Sequence, residues 1–408
     1  MAGPIFAPMT TERFNAIFLF LFFLLPGCER NPSLANDNPP PQPPPVESAA
    51  SPPEASSGTD SWPVFRGNDR MQGVAPENLK LPLKLAWSFQ AGEPVRATPI
   101  IDDGNVFIGD GKGVFRCLDL ATGDEQWSHQ VGGLIGGAAC LTPEMVFFGS
   151  EDHHVYALDR KTGNRRWASQ TDNQIIGGAN AHNDPQGETT VLIGSNDHHL
   201  HAINADTGKA RWTLKTGHNV AGVPSIVDQT AYVGGCDGFL YAVDISSGKE
   251  IGRVEVGVYI SSTVAIRDQV AYVAHYGNMV EAFDLKTGER VWQFQDRAFP
   301  YYASPAVTEN AVYAGCQGRR LYGIDRRTGE EMWSFKARAR VDSSPVVSGV
   351  HVFVGSHDGN LYAIDAENGE ERWSYQIGKD VQSSPAISED QLVIGADDGV
   401  IYSFQSTR

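Results

Sequence analysis

Positive charge is scarce in this chain of 408 residues: 32 Lys and Arg stand against 49 Asp and Glu, a formal net charge of −17. Nucleic acid is excluded as a partner on that balance, because phosphate binding starts from a basic surface. Long apolar runs are nearly missing too. The one exception, Ala16–Leu25, has ten residues, too few to cross a bilayer. With Arg13 just upstream and Cys28 just beyond, it reads as the core of a signal peptide spanning 1–28. Cysteines number only five, and no two are adjacent. Cys117 and Cys140 fall at small core positions, while Cys236 and Cys316 share one repeat position two units apart, beyond the ~7 Å that a disulfide allows. No P-loop, His-Glu-x-x-His, dinucleotide fingerprint or Ser-His-Asp order occurs, so hydrolytic and nucleotide chemistry have no support.

What the chain does have is proline in one block and a repeat in the rest. Residues 29–61 are mostly Pro, Ser, Ala, Asn and Glu, with Pro39-Pro40-Pro41-Gln42-Pro43-Pro44-Pro45 at their centre. Such a composition cannot bury a core and is expected to form a disordered tether, reaching on the order of 100 Å if fully extended. Packing is expected to begin at Trp62-Pro63-Val64-Phe65-Arg66-Gly67, giving a folded domain over 62–408. Within it Trp87, Trp127, Trp167, Trp212, Trp292, Trp333 and Trp373 recur at steps near 40, with Gly252 in one tryptophan slot and a single longer step explained by a polar insertion at 183–188. A period of this length, filled with short apolar runs and Asp-Gly or Asn-Gly turns, signifies a propeller blade of four antiparallel strands.

Eight inner-strand starts occur, near Thr98, Gly137, Gly178, Gly222, Ser262, Ser304, Ser344 and Ser384. The last lacks a tryptophan strand, and the strand around Trp87 lacks a blade before it. An all-β, eight-bladed propeller follows, monomeric and closed by its N-terminal strand, which leaves no open sheet edge.

The unit Ala-x-Asp-x-x-Thr-Gly-x-x-x-Trp, seen as Ala157-Leu158-Asp159…Thr162-Gly163…Trp167 and Ala282-Phe283-Asp284…Thr287-Gly288…Trp292, resembles the tryptophan-docking repeat of the pyrroloquinoline quinone (PQQ) propeller family over residues 84 to 404. Leu25-Pro26-Gly27-Cys28 is similar to a bacterial lipobox, which implies lipidation at Cys28 and a membrane anchor. Exported lipoproteins with this repeat look like the BamB type. The resemblance implies a non-catalytic envelope lipoprotein, periplasm-facing at the outer membrane, that scaffolds envelope proteins, with outer-membrane protein assembly as its setting. The alternative that the same family implies is a periplasmic quinoprotein oxidoreductase using PQQ with calcium. Against it, the adjacent cysteines common beside that cofactor are absent here.

Two surfaces are candidates for a site. Asp152-His153-His154 and Asp197-His198-His199 occupy equivalent hairpins of neighbouring blades, and imidazole with carboxylate can hold a divalent metal. Alignment with Asp358-Gly359-Asn360 instead gives His153 and His198 the place of a turn glycine, so no metal is expected. The second surface is the rim where the hairpins between second and third strands meet the links between blades. It collects Tyr259, Tyr301, Tyr302, Arg340 and Asp342, together with Arg96, Ile135, Ile176, Val220 and Asp380. Tyrosine and arginine suit an interaction surface, although the same residues would also suit a channel plug.

Overall fold

The computed structural model describes residues 61–76, 78–296, 298–388 and 390–407; Cys28 and the segments 1–28 and 29–60 lie outside them. Blade 1 consists of Ile100–Asp102, Asn105–Gly109, Val114–Asp119 and Glu125–Gln130, hydrogen-bonded in that order. The pattern repeats as blades 2 to 7 over 140–170, 179–215, 225–255, 265–294, 306–336 and 346–376. Blade 8 takes three strands from 386–406 and its outermost strand from Leu83–Gln90, which pairs antiparallel with Val400–Ser406 so that Trp87 faces Ser403.

Each blade buries both faces of its middle strands, as the uninterrupted apolar runs require. The boundaries between blades are sealed by tryptophan. The indole N–H of Trp87 donates to the carbonyl of Leu120, Trp127 to Arg160, Trp167 to Ala205, Trp212 to Ile245, Trp292 to Arg326 and Trp333 to Ala366, all at 2.7–3.0 Å. The acceptor always follows the Asp or Asn that opens the Thr-Gly turn of the next blade. The side chain of that residue folds the turn by accepting backbone N–H groups within the next three positions, as Asp365 does from Glu367 and Asn368. The turn glycine then lies flat over the indole. A Cβ on Gly369 would come within 2.7 Å of Trp333.

Nearer the axis, hydroxyls of the inner strands tie blade to blade. Val223 N–H donates to Thr263 Oγ1, Thr263 to Ser304 Oγ, Ser304 to Ser344 Oγ and Ser344 to Ser384 Oγ.

One mouth of the ring, on the side of the Thr-Gly turns, is covered by residues 62–75. The segment circles the axis and offers its carbonyls to the same inner-strand N–H of successive blades. Ile101 donates to Trp62, Leu141 to Pro63, Ile226 to Asp69, Ile266 to Arg70, Val307 to Gln72 and Val347 to Gly73, at 2.7–3.2 Å. Blade 3 is skipped; there Ala181 N–H is satisfied by the buried side chain of Asn180. Trp62 and Met71 are 0% exposed and Arg66 is 1% exposed. Arg66 donates to the carbonyl of Pro305, and burial lowers its pKa to about 9. Val74–Ala75 then adds a parallel strand to blade 7 before the chain passes into the closing strand of blade 8. Sequence reading placed the start of packing at Trp62 but gave no sign that the segment covers the channel.

Candidate interaction rim

On the opposite mouth most blades contribute a hairpin held by its own polar pair, while in blade 6 the Tyr322 hydroxyl donates to Asp296 of the preceding link. In blade 7 the Tyr362 hydroxyl donates to Asp358, whose carboxylate also accepts the backbone N–H of Arg338 from the preceding link. Blades 2, 4 and 8 repeat the pair as Tyr156 on Asp152, Tyr241 on Asp237 and Tyr402 on Asp398. Blade 3 substitutes His201, 2.8 Å from Asp197. Blade 5 substitutes the buried His275, whose Nε2–H donates to Glu281 at 2.9 Å while its Nδ1 accepts the Gly277 N–H.

The histidine motif lies in two of these hairpins. The carboxylates of Asp152 and Asp197 are already engaged in holding the hairpins. His153 and His198 adopt φ of 71° and 69°, the left-handed region that glycine takes at the same position in other blades. His154 and His199 each set Nδ1 within 2.9 Å of the backbone carbonyl of Asp152 and Asp197 respectively. Among the described residues no group of three or more His, Cys, Asp or Glu is arranged to hold a metal ion.

Asp197 also gives the rim a measurable acid response. Burial alone would raise its pKa, but the hydrogen bond and charge of His201, with N–H groups of Asp172 and His199, bring it down to about 2. A carboxylate depressed in the folded state contributes stability above its unfolded pKa near 4 and loses it as pH falls through the folded value. Asp197→Asn is therefore expected to melt below the parent protein at pH 6. The gap should close between pH 4 and pH 2, read by thermal unfolding in matched buffers.

The exposed part of the rim is built by one recurring contact: the tip of each hairpin is bracketed by residues of the two adjoining links. In blade 5 the tip is Tyr276, 37% exposed, with Tyr259 at 6.1 Å and Tyr302 at 4.4 Å between ring centroids, both edge-on. The chain of rings continues from Tyr259 to His218 at 6.3 Å and from His218 to His198 at 5.1 Å. Burial first, then the neighbouring His218, holds His198 below the usual imidazole range, so at neutral pH it is an uncharged ring. Five rings thus form an arc over blades 3 to 6.

In blades 7 and 8 the same positions are ionic. His357 lies 2.9 Å from Asp342 and 2.7 Å from Asp380, and Arg340 reaches Asp342 at 3.2 Å. Asp397 receives a two-pronged contact from Arg96 and a hydrogen bond from Gln382.

Of the rim residues expected from sequence, Tyr259, Tyr302, Arg340 and Asp342 stand on this surface. Tyr301 does not: it is 1% exposed. It occupies the link position that Ile260, Val341 and Val381 fill elsewhere, each buried and bonded through its N–H to the base of a hairpin, as Tyr301 is to His275. Ile135 and Val220 are buried in the same register. Tyr276, His218 and His198 were missed as rim members. Tyr276 and His198 lie in the hairpins, and His218 in a link, that define this rim in the sequence, so their signal was available.

The family model described as outer membrane protein assembly factor BamB matches residues 57–219, 196–339 and 320–408. No curated protein sequence matches the chain. Among solved structures, BamB from Moraxella catarrhalis is similar at 19% identity and a TM-score of 0.67, covering 80% of this chain and 99% of that one. Quinohemoprotein alcohol dehydrogenase from Comamonas testosteroni is similar at 15% identity and a TM-score of 0.76, covering 87% and 82%. A europium-containing methanol dehydrogenase is similar at 13% identity and a TM-score of 0.71, covering 86% and 98%. At these identities the likeness to solved structures is one of fold.

Proposed function

Because the chain belongs to the family of outer membrane protein assembly factor BamB, we propose that it is a non-catalytic docking propeller of the bacterial cell envelope. In this reading a lipid on Cys28 anchors it at the periplasmic face of the outer membrane, and its hairpin rim receives envelope proteins. The observation that carries the reading is the aromatic arc of His198, His218, Tyr259, Tyr276 and Tyr302, lying on the mouth that residues 62–75 leave free. Aromatic side chains with polar tips combine large contact area with few rotatable bonds, which suits them to anchor a protein interface.

A second reading is that of a quinoprotein, favoured by the two dehydrogenases of like fold. The residues present do not suit PQQ with calcium. The four described cysteines are single, buried thiols, and among the described residues no carboxylate cluster is set to hold a cation. The Thr-Gly mouth is filled by Trp62, Arg66 and Met71.

Replacing Tyr259, Tyr276 and Tyr302 together by Ala is expected to abolish site-specific photo-crosslinks from rim positions to envelope proteins in living cells. The melting temperature should change by no more than a few degrees, since Tyr276 is exposed, Tyr259 and Tyr302 are only half-buried, and none belongs to the core of a blade. Crosslinks that survive the triple replacement would refute the rim as the docking face. Dye reduction by the purified protein, dependent on added PQQ and calcium, would replace the docking reading with the enzymatic one.

A further inference from the structure

The tryptophan seal is missing at one boundary. Between blades 4 and 5 the register position is Gly252, paired with Ala242 just as Trp373 is paired with Ala363 and Trp292 with Ala282. Three features of the seal remain in place around this gap. Leu285, which follows Asp284 at the opening of the next Thr-Gly turn, presents the carbonyl that accepts an indole N–H at six other boundaries, and none of the described residues donates to it. Gly288 closes the turn with φ +74°, but its nearest neighbour on the Cβ side is Val254 at 3.9 Å, whereas the six glycines over tryptophan meet the indole at 2.5–2.8 Å. Tyr232 holds the place of Phe107, Phe147, Tyr272 and Tyr313, whose rings pack 5.7–6.0 Å from the tryptophan of their own blade. Between Tyr232, Gly252, Arg253 and Leu285 lies a shallow depression of about 20 Å³ that is open to solvent.

We propose that this vacant slot between blades 4 and 5 binds the tryptophan side chain of a partner protein. A flat apolar wall, a glycine cover and a lone carbonyl acceptor together match an indole, the natural side chain that joins a large ring to a single N–H donor. The occupant comes from another molecule. All eight tryptophans of the chain lie at 62, 87, 127, 167, 212, 292, 333 and 373, and residues 1–61 contain none. The surface around the slot suits a protein more than a free small molecule. Ile251, Val291 and Met332, each just before the register position on the outer strand of blades 4, 5 and 6, are 41%, 52% and 44% exposed. At that position blades 1, 2, 3 and 7 carry Gln126, Arg166, Arg211 and Arg372. An exposed apolar strip that flanks a pocket is the form of a contact surface. It lies on the outer wall, apart from the rim, and does not depend on the rim reading.

The test uses the full-length protein and N-acetyl-L-tryptophanamide, titrated by saturation-transfer NMR. Saturable binding is expected, and at least a tenfold weaker response to N-acetyl-L-phenylalaninamide, which lacks the ring N–H. Gly252→Trp should fill the slot from within, melt higher than the parent and lose the probe. Should that variant fail to fold, Gly252→Leu, which blocks the mouth with a smaller group, decides the same question. Absence of saturable binding to the parent would overturn the proposal, as would equal binding to the parent and to a folded filled variant.

Discussion

Deleting Trp62–Asn78 while keeping the closing strand is expected to cost on the order of 10–15 kcal/mol of stability, if the variant folds at all. Six inner-strand N–H groups lose their carbonyl partners in this variant, and Trp62, Phe65 and Met71 lose their burial. An unmade buried hydrogen bond costs ~1–3 kcal/mol, and water entering the opened mouth brings each toward the lower figure. Each large apolar side chain removed adds ~1.5–3 kcal/mol. The comparison is deletion of Asn31–Gly58, a stretch whose composition supports no core, which should leave the denaturation midpoint nearly unchanged. Equal midpoints for the two deletions would show that the segment merely rests on the ring.

Trp333→Ala is expected to destabilise by ~3–5 kcal/mol, the range for removing a buried aromatic. The ring leaves the boundary between blades 6 and 7, and the carbonyl of Ala366 loses its indole donor, keeping only the Tyr313 hydroxyl at 3.2 Å. A glycine pair separates the contact from the backbone. Gly369 and Gly288 share φ +74°, so alanine brings the same conformational penalty, about 1 kcal/mol, to both. Only at Gly369 does the new methyl also meet an indole, 2.7 Å away. Gly369→Ala should therefore lower the denaturation midpoint well beyond Gly288→Ala. Matching losses would mean that turn geometry, not the covered ring, makes the glycine necessary.

The blades were legible because their seals are made by side chains at fixed spacing: a tryptophan and a turn glycine announce six boundaries, Trp373 alone announces a seventh, and Gly252 announces the one that differs. Residues 62–75 left no comparable trace, since they bond to the ring through backbone carbonyls that any sequence supplies. At the rim the difficulty was one of parity. Tyr301 and Tyr302 are neighbours of identical type, yet the link turns one under the hairpin and the other outward. Hairpin tips such as Tyr276 were accessible to the same reasoning that found Tyr259, because both lie on the mouth where the second and third strands join.

Closure by Leu83–Gln90 has a consequence in time. The ribosome makes this strand early, but its partner, Val400–Ser406, is made only after the seven blades that lie between them. The segment before it waits almost as long, since its carbonyls find Val307 and Val347 only after most of the blades exist. Contacts of such sequence separation are slow to form and cannot precede synthesis of residues 400–406. Until residues 400–406 have been made, Leu83–Gln90 has no partner for its edge, and a nascent chain truncated before residue 400 cannot close the ring.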